Sequence, residues 1–335
     1  MTGWGLIGAS NIARQYMIAA IRAQPGHRIA GVFSSNPDRG AAFAREQGIP
    51  RAAATLDDLL ADPAVGCVYI STTNEQHHDQ AMAAIKAGKH VLCEKPLALD
   101  LRGAREMIET SRAAGVVFAT NHHLRNAGLH RRMRDLVREG ALGQVLAVRV
   151  FHAVHLPPAL QGWRVNNAAA GGGVVLDITV HDADTVRFVL GDDPVDVTAF
   201  LASQGMGAEG LADGVMGVMR MHSGALVQFH DAFTVAHVPT GFEVIGSDGA
   251  LVARNCMTQN PVGELTLRRD GTETLIDDFD RGDLYTRSVA NFAAAVAGTG
   301  QPSASGEDGL WSLATALAVQ QSAESGCAVP VSIDP

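Results

Sequence analysis

The chain is poor in the residues that staple or anchor a protein. Its four cysteines, Cys67, Cys93, Cys256 and Cys327, are scattered, with no C-x-x-C pair. That excludes a disulfide framework and suits a reducing compartment. No run reaches the roughly 18 apolar residues that a spanning helix needs. No basic segment followed by a long apolar stretch stands at the N-terminus, so no signal peptide is expected and a cytoplasmic location is. Basic charge is scarce as well: 26 Lys and Arg stand against 35 Asp and Glu, a formal net charge of -9. Nucleic acid and anionic membrane are therefore poor general partners, and an anionic ligand must be met locally.

What is present is a globular composition, 47% hydrophobic and 18% charged, over 335 residues. That length favours two domains over one core. The stretch Trp4 to Ala13 reads as an apolar strand, a glycine turn and the start of a helix. In such a unit the backbone N–H groups opening the helix can converge on a pyrophosphate. Gly8 is followed by Ser10 and Ala13 where a G-x-G-x-x-G fingerprint has glycines, and both are small enough to serve. A helix over Ile12–Arg22 and a strand over Ile29–Phe33 complete the unit. After that strand, Ser34, Ser35 and Arg39 stand where an acidic residue would hold a ribose 2′-hydroxyl. Two hydroxyls and a guanidinium suit a 2′-phosphate, favouring NADP(H), whereas an ordinary turn and cap with a solvated Arg39 is the plainer reading.

Alternation continues with helices around Arg39–Gln47, Leu56–Leu60, Gln76–Lys86 and Leu101–Ala114. Apolar strands are expected over Cys67–Ile70, His90–Cys93 and Val116–Thr120. Such alternation specifies a doubly wound parallel sheet, in which ligands lie beyond the carboxyl ends of the strands. Ser71, Thr72, Thr73, Asn74 and His77 follow one strand, and Glu94-Lys95-Pro96 follows the next. Proline holds Lys95 extended at the strand's mouth. There the lysine can polarise a carbonyl, or it is simply an ion-pair partner of Glu94.

The run Gly88 to Pro96, with Gly8 and Asn74-Glu75-Gln76-His77, closely resembles the N-terminal domain of the Gfo/Idh/MocA oxidoreductases. Thr73 departs from it, standing where the family commonly has proline. A helix near Leu129–Arg138, a strand Val145–Val154 and a loop with Pro157-Pro158 and Gly162-Trp163-Arg164 then begin a second domain. The segment Ala170 to Asp184 matches that family's second motif, with Thr179 in place of its usual glycine. Val174–Leu190 has helical periodicity, so Asp177 and His181, four apart, share a face that Asp184 continues. A carboxylate beside a histidine is a proton-transfer arrangement. Metal ligation by Asp177, His181 and Asp182 is the competing chemistry, and no further ligand set accompanies it.

The remainder is strand-rich, with runs Val195–Leu201, Val215–Met221, Ala225–Phe233, Phe242–Ile245 and Leu265–Arg268 and short turns that favour an antiparallel sheet. Helices near Leu284–Val296 and Glu307–Ala323 close the chain. The expected fold is α/β. A doubly wound Rossmann domain covers 1–123, and an α+β substrate domain on a large, mostly antiparallel open sheet covers 124–335. The resemblance implies NADP(H)-dependent hydride transfer on a small sugar, with Lys95, Asp177 and His181 as catalytic and substrate-binding residues and His181 as acid/base. It puts the cofactor against Gly8, Ala9, Ser10, Asn11, Ile12 and Ala13, then against Ser34, Ser35 and Arg39. Ser71, Thr72, Thr73, Asn74, Glu75 and His77 come next, then Glu94, Lys95 and Asn121, with Trp163, Arg164 and Tyr285 further on. No metal is implied. The alternatives are another sugar or polyol dehydrogenase, or a nucleotide-bound sensor without catalysis; monomer and homo-oligomer stay equally open.

Overall fold

The computed structural model describes residues 2–208 and 210–334. They fall into two compact units: the chain up to His123 together with Leu284–Leu310, and Leu124–Asp283 together with the chain from Trp311 onward.

The first unit holds six strands: β1 Thr2–Ile7, β2 His27–Phe33, β3 Ala52–Ala53, β4 Cys67–Ile70, β5 His90–Cys93 and β6 Phe118–Thr120. They pair in parallel in the order β3-β2-β1-β4-β5-β6. Their continuous apolar runs suit strands covered on both faces; every residue of β4 is buried. The helices between them start on sequence-encoded caps. Asn36 accepts from the Arg39 N–H before Pro37–Gln47, Thr55 and Asp58 form a capping box before Leu56–Leu60, and Asp100 caps Leu101–Ala114. The helix after β1 opens differently, with a π-helical turn Ala13–Met17 ahead of Ile18–Arg22.

The expected partition at 124–335 is corrected by the segment Leu284–Leu310, which packs with the first unit. Helix Leu284–Val296 buries Leu284, Tyr285, Ser288, Val289 and Phe292, a stripe at helical spacing. Phe292 lies 5.3 Å from the Trp4 ring, the Ser288 hydroxyl donates to Asn121 Oδ1 at 2.9 Å, and Gln24 Nε2 donates to the Thr286 carbonyl at 3.1 Å. The stripe is legible in the sequence; its partner, a strand some 280 residues earlier in the chain, is not.

The second unit is built on nine strands: β7 Val145–Ala153, β8 Pro194–Ala202, β9 Gly214–Met221, β10 Leu226–Ala232, β11 Gly241–Gly246, β12 Ala250–Arg254, β13 Glu264–Arg269, β14 Thr272–Ile276 and β15 Val329–Pro330. Their order is β14-β13-β12-β11-β7-β10-β9-β8-β15, with β7 and β10 parallel and the other pairs antiparallel. Along β9, buried Val215, Met219 and Met221 alternate with exposed Met216 and Val218, so one sheet face carries the core and the other is open. Helix Val180–Leu190 packs on β7, and helix Gly128–Arg138 packs on Val180–Leu190.

Several elements differ from expectation. β12 and β14 are additional strands, although Asp270 and Gly271, both at positive φ, make the turn joining β13 to β14. The segment after Pro157 is a helix, Pro158–Asn166, kinked at Gly162. The helix expected over Val174–Leu190 begins as a π-helical turn, Val175–Thr179. Among the described residues no helix is long and apolar enough to cross a membrane.

If Leu284–Leu310 stabilises the first unit, Phe292→Ala should cost about 3–5 kcal/mol. Urea unfolding followed by tryptophan fluorescence reads this as an earlier transition; an unmoved midpoint would mean the helix adds nothing to that core.

Candidate active site

The strand order of the first unit reverses at β1 and β4, so a crevice opens beyond their carboxyl ends. Gly8 sits there at φ +110, where a Cβ would come within 3.0 Å of the Ser71 backbone. Only glycine lets the two strand ends approach this closely. Ser10 Oγ accepts from the Ala13 N–H at 3.1 Å and shares a hydrogen bond with Ser71 Oγ at 2.8 Å. It caps the helix opening. Ala13 is buried, Ala9 and Ile12 are half-buried and Asn11 is exposed. At the mouth of β2, Arg39 Nε donates to Ser34 Oγ at 3.2 Å, with Ser34 buried and Ser35 and Arg39 exposed. Asn36 caps the helix, as the plainer reading has it, and the Arg39 guanidinium lies beside a hydroxyl.

After β4, the loop is tied to itself. Thr72 donates to Gln80 Oε1 at 2.7 Å, Thr73 donates to Glu75 Oε1 at 2.7 Å, and Asn74 is buried. His77 is fully covered, and its Nδ1–H donates to the Pro96 carbonyl at 2.7 Å. Burial lowers its pKa, so the ring is a neutral clasp on the Lys95-Pro96 turn. Glu94 is held by the Tyr69 hydroxyl at 2.6 Å and by Asn121 Nδ2 at 2.7 Å, both on Oε1. Desolvation nevertheless raises its carboxyl above the ordinary range. Asn121 and Tyr285 are also covered completely. Asn121 serves Glu94, and Tyr285 stacks between Tyr16, at 4.6 Å, and His123, at 5.3 Å. Lys95 itself is half-buried at the end of β5. Sequence reasoning misses Tyr69 and Ser288, since nothing local marks a strand tyrosine or a helix serine as a support for Glu94.

In the second unit, Arg164 Nε reaches Asp177 Oδ1 and Oδ2 at 3.2 and 3.1 Å, and its guanidinium lies 4.8 Å from the Trp163 ring centroid. Nothing in the sequence pattern anticipates this pair. The kink at Gly162 falls immediately before Trp163 and Arg164. His181 stands one turn beyond Asp177 and is 8% exposed. Asp184 does not continue a functional face. It is buried and gripped by Arg125, with Nε 2.8 Å from both carboxylate oxygens. Asp182 is turned to His152, at 2.7 Å, and not toward Asp177. The metal reading therefore lacks convergence, and among the described residues no group of three such side chains is arranged around an ion.

Residues 2–122 match an oxidoreductase family with an NAD-binding Rossmann fold, and residues 130–252 match the Gfo/Idh/MocA C-terminal domain. The chain belongs to the Gfo/Idh/MocA oxidoreductase family. It is 56% identical to 1,5-anhydro-D-fructose reductase of Ensifer adhaerens over 331 residues, 99% of each chain. With myo-inositol 2-dehydrogenase of Thermotoga maritima it shares 30% identity over 86% of each. The solved aldose-aldose oxidoreductase of Caulobacter crescentus, complexed with glycerol, matches with a TM-score of 0.89 at 24% identity, over 98% of this chain and 99% of that one. At that identity the likeness is one of fold. A nicotinamide dinucleotide is the cofactor of this Gfo/Idh/MocA chain, and the glycine-restricted crevice at Gly8 with the Ser10 cap fits one.

Gly8→Ala should force β1 and β4 apart at that crevice. Overpacking of about 1–3 kcal/mol corresponds to roughly 5- to 150-fold weaker cofactor binding. Calorimetric titration with cofactor checks this; wild-type affinity in the variant would remove the crevice from the binding site.

Proposed function

We propose that the protein reduces the 2-ketone of 1,5-anhydro-D-fructose to 1,5-anhydro-D-mannitol, with NADPH as the hydride donor and the cytoplasm as its place of work. The observation that carries this is the 56% identity over 99% of both chains with the Ensifer enzyme of that name. Lys95, Asp177 and His181 all stand in the motifs of the family. When bound, the dihydronicotinamide supplies the hydride that becomes the new C–H bond at C2. The carbonyl π pair moves onto oxygen, so the oxygen needs a positive neighbour and then a proton.

The Lys95 ammonium polarises the carbonyl and steadies the growing charge. The imidazolium of His181 delivers the proton, leaving a neutral ring that solvent reprotonates. Asp177 accepts a hydrogen bond from a substrate hydroxyl, and Arg164 keeps its carboxylate oriented. A panel of ketoses and polyols assayed by NADPH oxidation or NADP reduction tests the substrate. Preference for another member would transfer the reading to a different sugar or polyol dehydrogenase, consistent with the inositol-acting relative.

The preference for NADPH rests on Ser34 and Arg39, already in contact at 3.2 Å, with no acidic residue directly after Phe33 to hold a ribose hydroxyl. Charge-assisted contacts to a 2′-phosphate contribute about 1.5–3 kcal/mol, so Ser34→Asp should cut NADPH use roughly ten- to a hundredfold and narrow or reverse the preference. Equal kcat/KM for NADPH before and after the change would refute it.

The roles of Lys95 and His181 are tested by single-turnover NADPH oxidation at saturating substrate, with cofactor binding measured separately. Lys95→Ala and His181→Ala should each slow the chemical step by about two to three powers of ten, as loss of one oxyanion donor does. Reduction by the wild type should fade as pH rises through the His181 pKa in the bound complex. Near-wild-type rates in both variants would transfer the chemistry to other residues.

A further inference from the structure

Behind His181 lies a cluster of buried polar groups that the reaction described above does not use. His152 on β7 donates its Nδ1–H to Asp182 Oδ1 at 2.7 Å, and its ring centroid is 6.2 Å from that of His181 at an interplanar angle of 43°. Asp231 on β10 accepts from the Thr179 hydroxyl at 2.6 Å. Asp182, Asp231 and Thr179 are 0% exposed, and His152 and His181 8%. Asp182 and Asp231 are close enough for each carboxyl to shift the titration of the other. Asp182 Oδ2 and Asp231 Oδ1 are buried without any nitrogen or hydroxyl donor. Two carboxyls in contact with no other donor for those oxygens require a proton between them, because two charges cannot both be retained there.

We propose that Asp182, Asp231 and His152 are positioning residues for His181, in which Asp231 gives its proton to the bond with Asp182 and Asp182 fixes the His152 ring against His181. The proposal rests on His181 acting as the acid. Desolvation, then the neighbouring Asp182, holds the Asp231 carboxyl well above the carboxylate range, and desolvation raises Asp182 as well. Asp231 keeps its proton, and above about pH 7, to which burial lifts Asp182, the pair carries one negative charge that favours the imidazolium form of His181. The other ionisable groups around this segment do not replace it. Asp177 is taken by Arg164, Asp184 by Arg125, His130 is lowered to about 4 by burial, and the Cys256 thiol is raised by burial. Thr179, which departs from the family's usual glycine, supplies the donor that holds Asp231 in place.

The test is an NMR titration of the His181 imidazole in the whole protein, assigned by its loss in His181→Ala. In Asp182→Asn, which removes the charge at constant shape, the His181 midpoint should fall by about half a pH unit or more, and the alkaline limb of kcat should move with it. Asp231→Asn replaces a protonated acid by an amide that still donates to Asp182, so its His181 midpoint should stay put. A folded Asp182→Asn protein with an unmoved His181 titration overturns the proposal. Should that variant fail to fold, the wild type answers alone. The His152 Nδ1 proton should give a slowly exchanging downfield signal with Overhauser contacts to the His181 ring, and a freely exchanging His152 without them overturns the proposal. These readouts use resting protein. A wild-type chemical rate in His181→Ala would therefore refute the acid role without disturbing the cluster.

Discussion

A parallel sheet that winds outward in both directions from one strand cannot cover the carboxyl ends at its switch point, because the crossovers on either side depart to opposite faces. In the first unit that point lies between β1 and β4. The crevice is thus a product of topology, and the side chains there only refine it. Gly8 permits the close approach, Ser10 satisfies a helix-opening N–H, and β5 ends nearby in Glu94 and Lys95. The place of Leu284–Leu310 stems from the same constraint. The unit's sheet needs cover on both faces, and the helix bearing Phe292 and Ser288 returns late in the chain to supply it.

Both units stabilise reactive groups by placing polar atoms out of water. An uncompensated buried carboxylate is costly, and the two units answer that cost differently. Glu94 is met by two neutral donors, Tyr69 and Asn121, which hold it without cancelling its charge. Asp182 is held by His152 and Asp231 by Thr179, and each carboxyl shifts the titration of the other. Arg125 and Asp184 form a third solution, a buried charge pair whose arginine shares the Phe188 ring with Arg134. It fixes helix Val180–Leu190 and, with it, the position of His181.

Much of this is legible in the sequence because the decisive signals are local. The strand-turn-helix at Gly8, the Glu94-Lys95-Pro96 terminus and the glycine-rich entry to the Asp177–His181 segment all lie within short windows. The hidden part depends on distance along the chain. Arg164 and Asp177 are 13 residues apart but meet beyond a kink at Gly162 that no periodicity marks, and Trp4 meets Phe292 from the other end of the chain. His77 and Tyr285 are buried in packing that no local pattern announces, since rings that large are as useful for filling space as for touching a ligand. β14 is a different case. Its turn, Asp270-Gly271, is a strong hairpin signal, and the strand escapes notice because Thr272 to Ile276 is an exposed edge with little hydrophobic alternation.

The two π-helical turns bear on why these segments carry function. One opens the helix after Gly8 and the other contains Asp177 just before His181. A π turn inserts a residue into the helical ladder and rotates the stretch before it relative to the stretch after it. Asp177 and His181 therefore belong to differently wound stretches, and a regular helix would not give them the same mutual orientation. Asp177 can turn to Arg164 while Asp182, five residues later, turns to His152. Thr179, the last residue of the π turn, is bound to Asp231 on β10, which pins the junction to the sheet. The departure from glycine at that position couples the winding change to the buried acid pair, so the shape of the helix start and the charge behind His181 are set by the same contact.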